Sequence, residues 1–129
     1  MLIAVLALVA IAWLAVNLRG VDRFESGERL GLAPNATDAQ VDEAARLIED
    51  ARFLNPDTRP LLTEGALLVA HGGDRVQEGL GLLEEAVHAE PDNVVAWAVL
   101  SSATRRLDPT LSRLARARAD ALSPPVPKE

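Results

Sequence analysis

The chain has 129 residues, 49% of them hydrophobic, and a formal net charge of −6. That charge excludes a general nucleic-acid binder, which needs a basic surface. The lack of cysteine excludes disulfides, thiolate metal sites and lipid attachment through Cys.

Residues 1–18 contain one strongly polar side chain, Asn17, and no charge. As a helix they would span about 27 Å, close to the ~30 Å hydrocarbon core of a bilayer. Trp13 falls near the expected interface, where indole is favoured. No Lys or Arg precedes the apolar run, and Val16-Asn17-Leu18 is a poor cleavage context, so an uncleaved anchor over residues 1–20 is preferred to a signal peptide. Arg19, Arg23 and Arg29 follow the segment, and the positive-inside bias then puts the remaining domain in the cytoplasm.

Residues 21–32 read as a continuation of that helix. Thr37-Asp38-Ala39-Gln40 forms a capping-box pattern that opens a helix to about Leu54. Val41, Ala44, Ala45, Ile48 and Ala51, continuing to Arg52 or Phe53, follow helical spacing. Asp57 or Thr58 caps the next helix, with Pro60 in its first turn, and His71-Gly72-Gly73 ends it. Asp74 with Gln77 opens a helix to about Ala89, whose apolar positions are Val76, Leu80, Leu83, Ala86 and Val87. Asp92 or Asn93 caps one to about Arg106, and Asp108-Pro109 starts the last. Residues 124–129, Pro-Pro-Val-Pro-Lys-Glu, cannot continue a helix and form a flexible tail.

The stretch from Ala51 to Asp57 aligns with Ala86 to Asp92 at an offset of 35, and at the same offset Leu62 matches Trp97. A weaker third copy ends at Pro124. A period of this size indicates stacked helical hairpins. The predicted fold is therefore all-α, an N-terminal transmembrane helix followed by a short helical-hairpin solenoid over residues 21–123.

These residues resemble the tetratricopeptide repeat (TPR) family over about Val21 to Pro124. Trp97 takes the position of the family's first aromatic, Ala51 and Ala86 that of its small packing residue, and Pro56 and Pro91 that of its terminal proline. Leu62 departs from the aromatic in the middle repeat, Phe24 can serve that role in the first, and the small position near Ser101 is polar. In that family partner peptides lie in a groove formed by the first helix of each hairpin. Carried over, the groove positions are Thr63, Leu67, His71, Ala98, Ser102, Arg105 and Arg106. Thr63 and Leu67 do not supply the Lys and Asn of the subset that clamps carboxylate termini. The layout, with Ala51 to Leu62, is also similar to the tail of bacterial membrane proteins of the O-antigen ligase or polymerase type. That likeness would put the domain outside the cytoplasm.

No catalytic or metal site emerges. His71 and His88 lie seventeen residues apart without a His partner one turn away, so they read as a helix end and a solvated surface. His71-Gly72-Gly73-Asp74 lacks the phosphate-loop pattern and follows a helix, so it reads as a turn. Asp42-Glu43 and Glu84-Glu85 are adjacent pairs pointing to different sides of a helix, unsuited to acid–base work. Asn35-Ala36-Thr37 fits a glycosylation sequon and also a helix entry, which is preferred. Arg105, Arg106, Arg113, Arg116 and Arg118 form the one basic concentration, read as a solvated surface or as a docking patch for acidic groups.

The expected function is thus a single-pass, membrane-anchored TPR-like scaffold or adaptor that binds a partner protein, with no enzyme activity, cofactor or nucleic acid. The alternative is an accessory subunit of a membrane enzyme complex, in cell-envelope polysaccharide assembly. The anchor, a partner or self-association would cover an exposed end of so short an array.

Overall fold

The computed structural model describes residues 2–31, 33, 35–54 and 57–123, with the side chains of residues 2–13, 16, 17 and 54 left out. The described residues form six α-helices and no strand: α1 Leu2–Gly31, α2 Asp38–Leu54, α3 Arg59–His71, α4 Val76–Ala89, α5 Val94–Thr104 and α6 Pro109–Leu122. They fall into two compact units, residues 1–60 and 61–129. Among the described residues no helix is long and apolar enough to cross a membrane. Most side chains of the expected anchor, Trp13 included, lie outside the described residues, as do Pro56 and the tail 124–129.

Local signals place four of the six helix starts. At the start of α2 the Thr37 amide donates to Gln40 Oε1 at 2.9 Å and the Gln40 amide donates to Thr37 Oγ1 at 3.3 Å, a reciprocal capping box. Asp57 Oδ1 accepts from the Arg59 amide at 3.1 Å. Asn93 Oδ1 accepts from the amides of Val95 and Ala96, and Asp108 Oδ1 from those of Thr110 and Leu111. The Trp97 indole donates to the Pro91 carbonyl at 2.8 Å, tying the preceding turn to α5.

Three boundaries differ from expectation. The cap at Asp74 with Gln77 does not form. Gly72 and Gly73 both adopt positive φ, 84° and 77°, and lead into a 3₁₀ turn over Gly73–Arg75 before α4 begins without a side-chain cap. An Arg75–Glu78 ion pair at 2.7 Å braces that turn, and the guanidinium holds the Glu78 carboxyl below its ordinary range. Helix α5 closes at Thr104 rather than Arg106. There the Thr104 hydroxyl donates to the Leu100 carbonyl at 2.7 Å, and the Thr104 carbonyl accepts from the amides of Leu107 and Asp108. On α2 the apolar stripe ends at Ala51. Phe53, two residues on, is turned about 200° around the helix and is 91% exposed.

In the first unit, α1 packs antiparallel on α2. Phe24 and Gly27 of α1 and Val41, Ala44, Ala45, Ile48 and Ala51 of α2 are all buried. A Cβ on Gly27 would stand 2.8 Å from Ile48 Cγ1 and 2.9 Å from the Ala44 carbonyl oxygen, so the helices cross at hydrogen-for-side-chain distance. In the second unit Leu61, Leu62, Leu83, Ala86, Val87, Ala96, Leu100 and Ala115 form one core shared by α3 to α6. Here α3 and α4 cross at Gly65 and Gly79, where a Cβ on either would lie 2.8 Å from the other's carbonyl oxygen. Helices α5 and α6 cross at two buried serines, and Ser112 Oγ donates to the Ser101 carbonyl at 2.8 Å. The polar residue at Ser101 is therefore compatible with a close crossing because the hydroxyl facing it finds a carbonyl.

Each of the three helix pairs thus crosses at small residues. Seven residues after Ala44, Gly79 and Ser112 come the buried alanines Ala51, Ala86 and Ala119. Valine at position 79 should lower stability by roughly 1–3 kcal/mol, because its Cβ meets backbone that cannot yield. Gly81→Ala, whose Cβ meets nothing within 4 Å, should raise it by roughly 0.5–1 kcal/mol. Thermal denaturation of the two variants against the parent measures both.

Candidate binding groove

Helices α3 and α5 lie side by side in the second unit and enclose an open groove of about 720 Å³, within the range of ligand pockets. Its walls are Ala66, Val69 and Ala70 of α3 and Val94, Val95, Ala98, Val99, Ser102 and Ala103 of α5, with Arg105 and Arg106 at one end. The lining follows from helix geometry. Positions 95, 98, 99, 102 and 106 recur at three and four residues, and each is Val, Ala, Ser or Arg, so one face of α5 stays shallow. Short side chains leave the helix backbones within reach of an incoming segment. Val95 keeps 62% of its surface exposed, an apolar residue on an otherwise open wall.

Four of the seven residues expected to face a groove line this one: Ala98, Ser102, Arg105 and Arg106. The three from α3 do not. Leu67 is buried at 6% exposure, Thr63 is half-buried, and His71 sits exposed at the helix end, none of them in the lining. Ala66, Val69 and Ala70 occupy the wall instead, one residue earlier on the helix. The cause is the connection between successive hairpins. Ala44 on α2 to Gly65 on α3 spans 21 residues, whereas Gly79 on α4 to Ser101 on α5 spans 22. An offset of 35 relates Ala51 to Ala86 on the second helices, but Gly65 and Ser101 on the first helices are 36 apart. Pairing Leu62 with Trp97 therefore turns the α3 face by one position.

The electrostatics of the groove concentrate at its end. Three of the six arginines of the second unit have a carboxylate: Arg75 pairs with Glu78, Arg116 with Asp120 at 3.0 Å and Arg118 with Asp92 at 3.3 Å. Arg113 donates to the Thr110 hydroxyl at 3.4 Å. Arg105 and Arg106 are exposed and form no ion pair with any described residue, in a chain with nineteen carboxylate side chains. They follow the last residues of α5, where cations also offset the negative end of the helix dipole.

The other polar groups stay apart. Among the described residues no group of three His, Asp or Glu side chains converges as a metal site. His88 Nδ1 lies 2.7 Å from the Glu84 carbonyl oxygen on the surface of α4. Glu43 is paired with Arg46 across one turn at 2.7 Å, and that hydrogen bond lowers its pKa. No protein family, curated protein or solved structure matches the chain.

The placement of the groove predicts a sharp contrast between neighbouring positions. Val95→Asp and Ala98→Asp should each change stability by about 0.5 kcal/mol or less, as on a free surface. Leu67→Ala should cost roughly 2–5 kcal/mol as a core truncation. Chemical denaturation of the three variants separates a lining residue from a core residue.

Proposed function

We propose that the chain is a single-pass, membrane-anchored scaffold whose TPR-like domain binds a segment of a partner protein in the groove between α3 and α5. The observation that carries the reading is the groove itself, a shallow wall of alanine and valine ending in two arginines that pair with no carboxylate among the described residues. The complementary segment presents small or branched apolar side chains followed by Asp or Glu, which Arg105 and Arg106 hold as charge-assisted hydrogen bonds. Recurrence of small-residue crossings within the three helix pairs, α1 with α2, α3 with α4 and α5 with α6, supports the TPR-like reading.

Membrane attachment is part of the proposal. Helix α1 is continuous from Leu2 to Gly31, and its first charged residue is Arg19. Its partner α2 covers only the C-terminal part, so an uncharged stretch of about 27 Å remains for the bilayer. Leu14 and Leu18 are more than half exposed, as lipid-facing or subunit-facing side chains would be. Arg19, Arg23 and Arg29 favour a cytoplasmic domain. The exposed leucines also suit a second reading, in which α1 is itself an interface within a membrane enzyme complex.

Affinity purification of the full chain from gently solubilised membranes tests these readings together. The scaffold reading expects a stoichiometric companion that Arg105→Glu with Arg106→Glu reduces about tenfold or more, the equivalent of 1.4 kcal/mol. A companion retained by that variant but lost when residues 1–18 are replaced by an unrelated anchor supports the subunit reading instead.

A further inference from the structure

Phe53 is the most exposed large hydrophobic residue among those described, at 91%. It lies in the last turn of α2, at the end of that helix which faces the uncharged part of α1. The antiparallel pairing fixes its height. Gly27 is level with Ala44, Arg23 Nη1 reaches Asp50 Oδ2 at 2.9 Å, and Gly20 and Val21 line one small cavity with Ala51. Two residues further along α2, Phe53 stands level with Leu18 to Gly20 of α1. That is the height at which the apolar run of α1 gives way to its first charge, Arg19.

On the anchor reading, Leu18 marks the edge of the hydrocarbon. The polar layer beyond it is roughly 5–7 Å thick on each side, which corresponds to about four helical residues. Phe53 falls inside that layer. Phe is among the residues that helices lying at membrane surfaces bury at that depth. Of the charged residues beside Phe53, the Asp50 carboxylate is paired with Arg23, and Glu49 and Arg52 carry opposite charges.

We propose that Phe53 is a second membrane contact, inserting its ring into the interfacial layer beside the point where α1 leaves the bilayer. Two points of attachment, one on each helix, would set the tilt of the α1–α2 hairpin against the membrane, where α1 alone would leave it free to swivel. The inference rests on the anchor reading, and the two can fail separately.

The test uses the full chain in phosphatidylcholine vesicles whose acyl chains are brominated close to the headgroup, which quenches indole on contact. Trp13→Phe, Trp13→Phe with Phe53→Trp, and the parent are compared. Phe53 is exposed, so replacing it leaves folding intact. The expected result is that the emission added by Phe53→Trp is blue-shifted and largely lost in brominated vesicles. Added emission that stays red and unquenched, while the parent shows quenching of Trp13, overturns the Phe53 contact and keeps the anchor. If neither indole is quenched, the anchor reading fails and this inference fails with it.

Discussion

The close crossing of small residues is the constraint on which the rest of this structure depends. Gly27 lies on Ala44, Gly65 on Gly79 and Ser101 on Ser112, each placing two helix backbones nearer than any larger side chain would permit. With only four aromatic residues in 129, the chain cannot fill wide inter-helix gaps with rings. It removes the gaps by close approach. Leu83, Leu100 and Ile48 then complete cores in which the buried alanines Ala51, Ala86 and Ala119 take part. The glycines and serines that make these crossings have no apolar signature of their own, which is why a hydrophobic pattern passes over them.

The consequence for binding is direct. The same economy of side-chain volume that brings the helices together leaves alanine and valine on the open faces of α3 and α5. The groove is shallow and apolar because its walls are largely alanine and valine, with Arg105 and Arg106 at one end. On the proposed reading such a groove would select by shape and by one sign of charge, its affinity coming from a few buried contacts.

Much of the fold was legible in the amino-acid pattern. The reciprocal bonds of Thr37 and Gln40, and the caps at Asp57, Asn93 and Asp108, arise from short-range chemistry that any chain with those residues repeats. The α5 wall of the groove was also legible, because Trp97, held by its indole bond to Pro91, fixes the register of that helix. The α3 wall was not. Its register depends on the connections between hairpins, one residue longer from Gly79 to Ser101 than from Ala44 to Gly65, which a constant period cannot anticipate. Phe53 likewise looked like a stripe residue, and only the place where α2 ends settles that it points outward.

The central claim is that the groove between α3 and α5 holds a partner at the membrane. Site-specific photo-cross-linking from within cells addresses it most directly, with the reactive side chain at Ala98 on the groove wall and, separately, at the exposed Ala117 of α6. The account predicts one dominant adduct from position 98, mapped to an apolar segment bearing Asp or Glu, and none of it from position 117. Equal labelling from both positions, or none from position 98 in membranes where the protein is abundant, would contradict it.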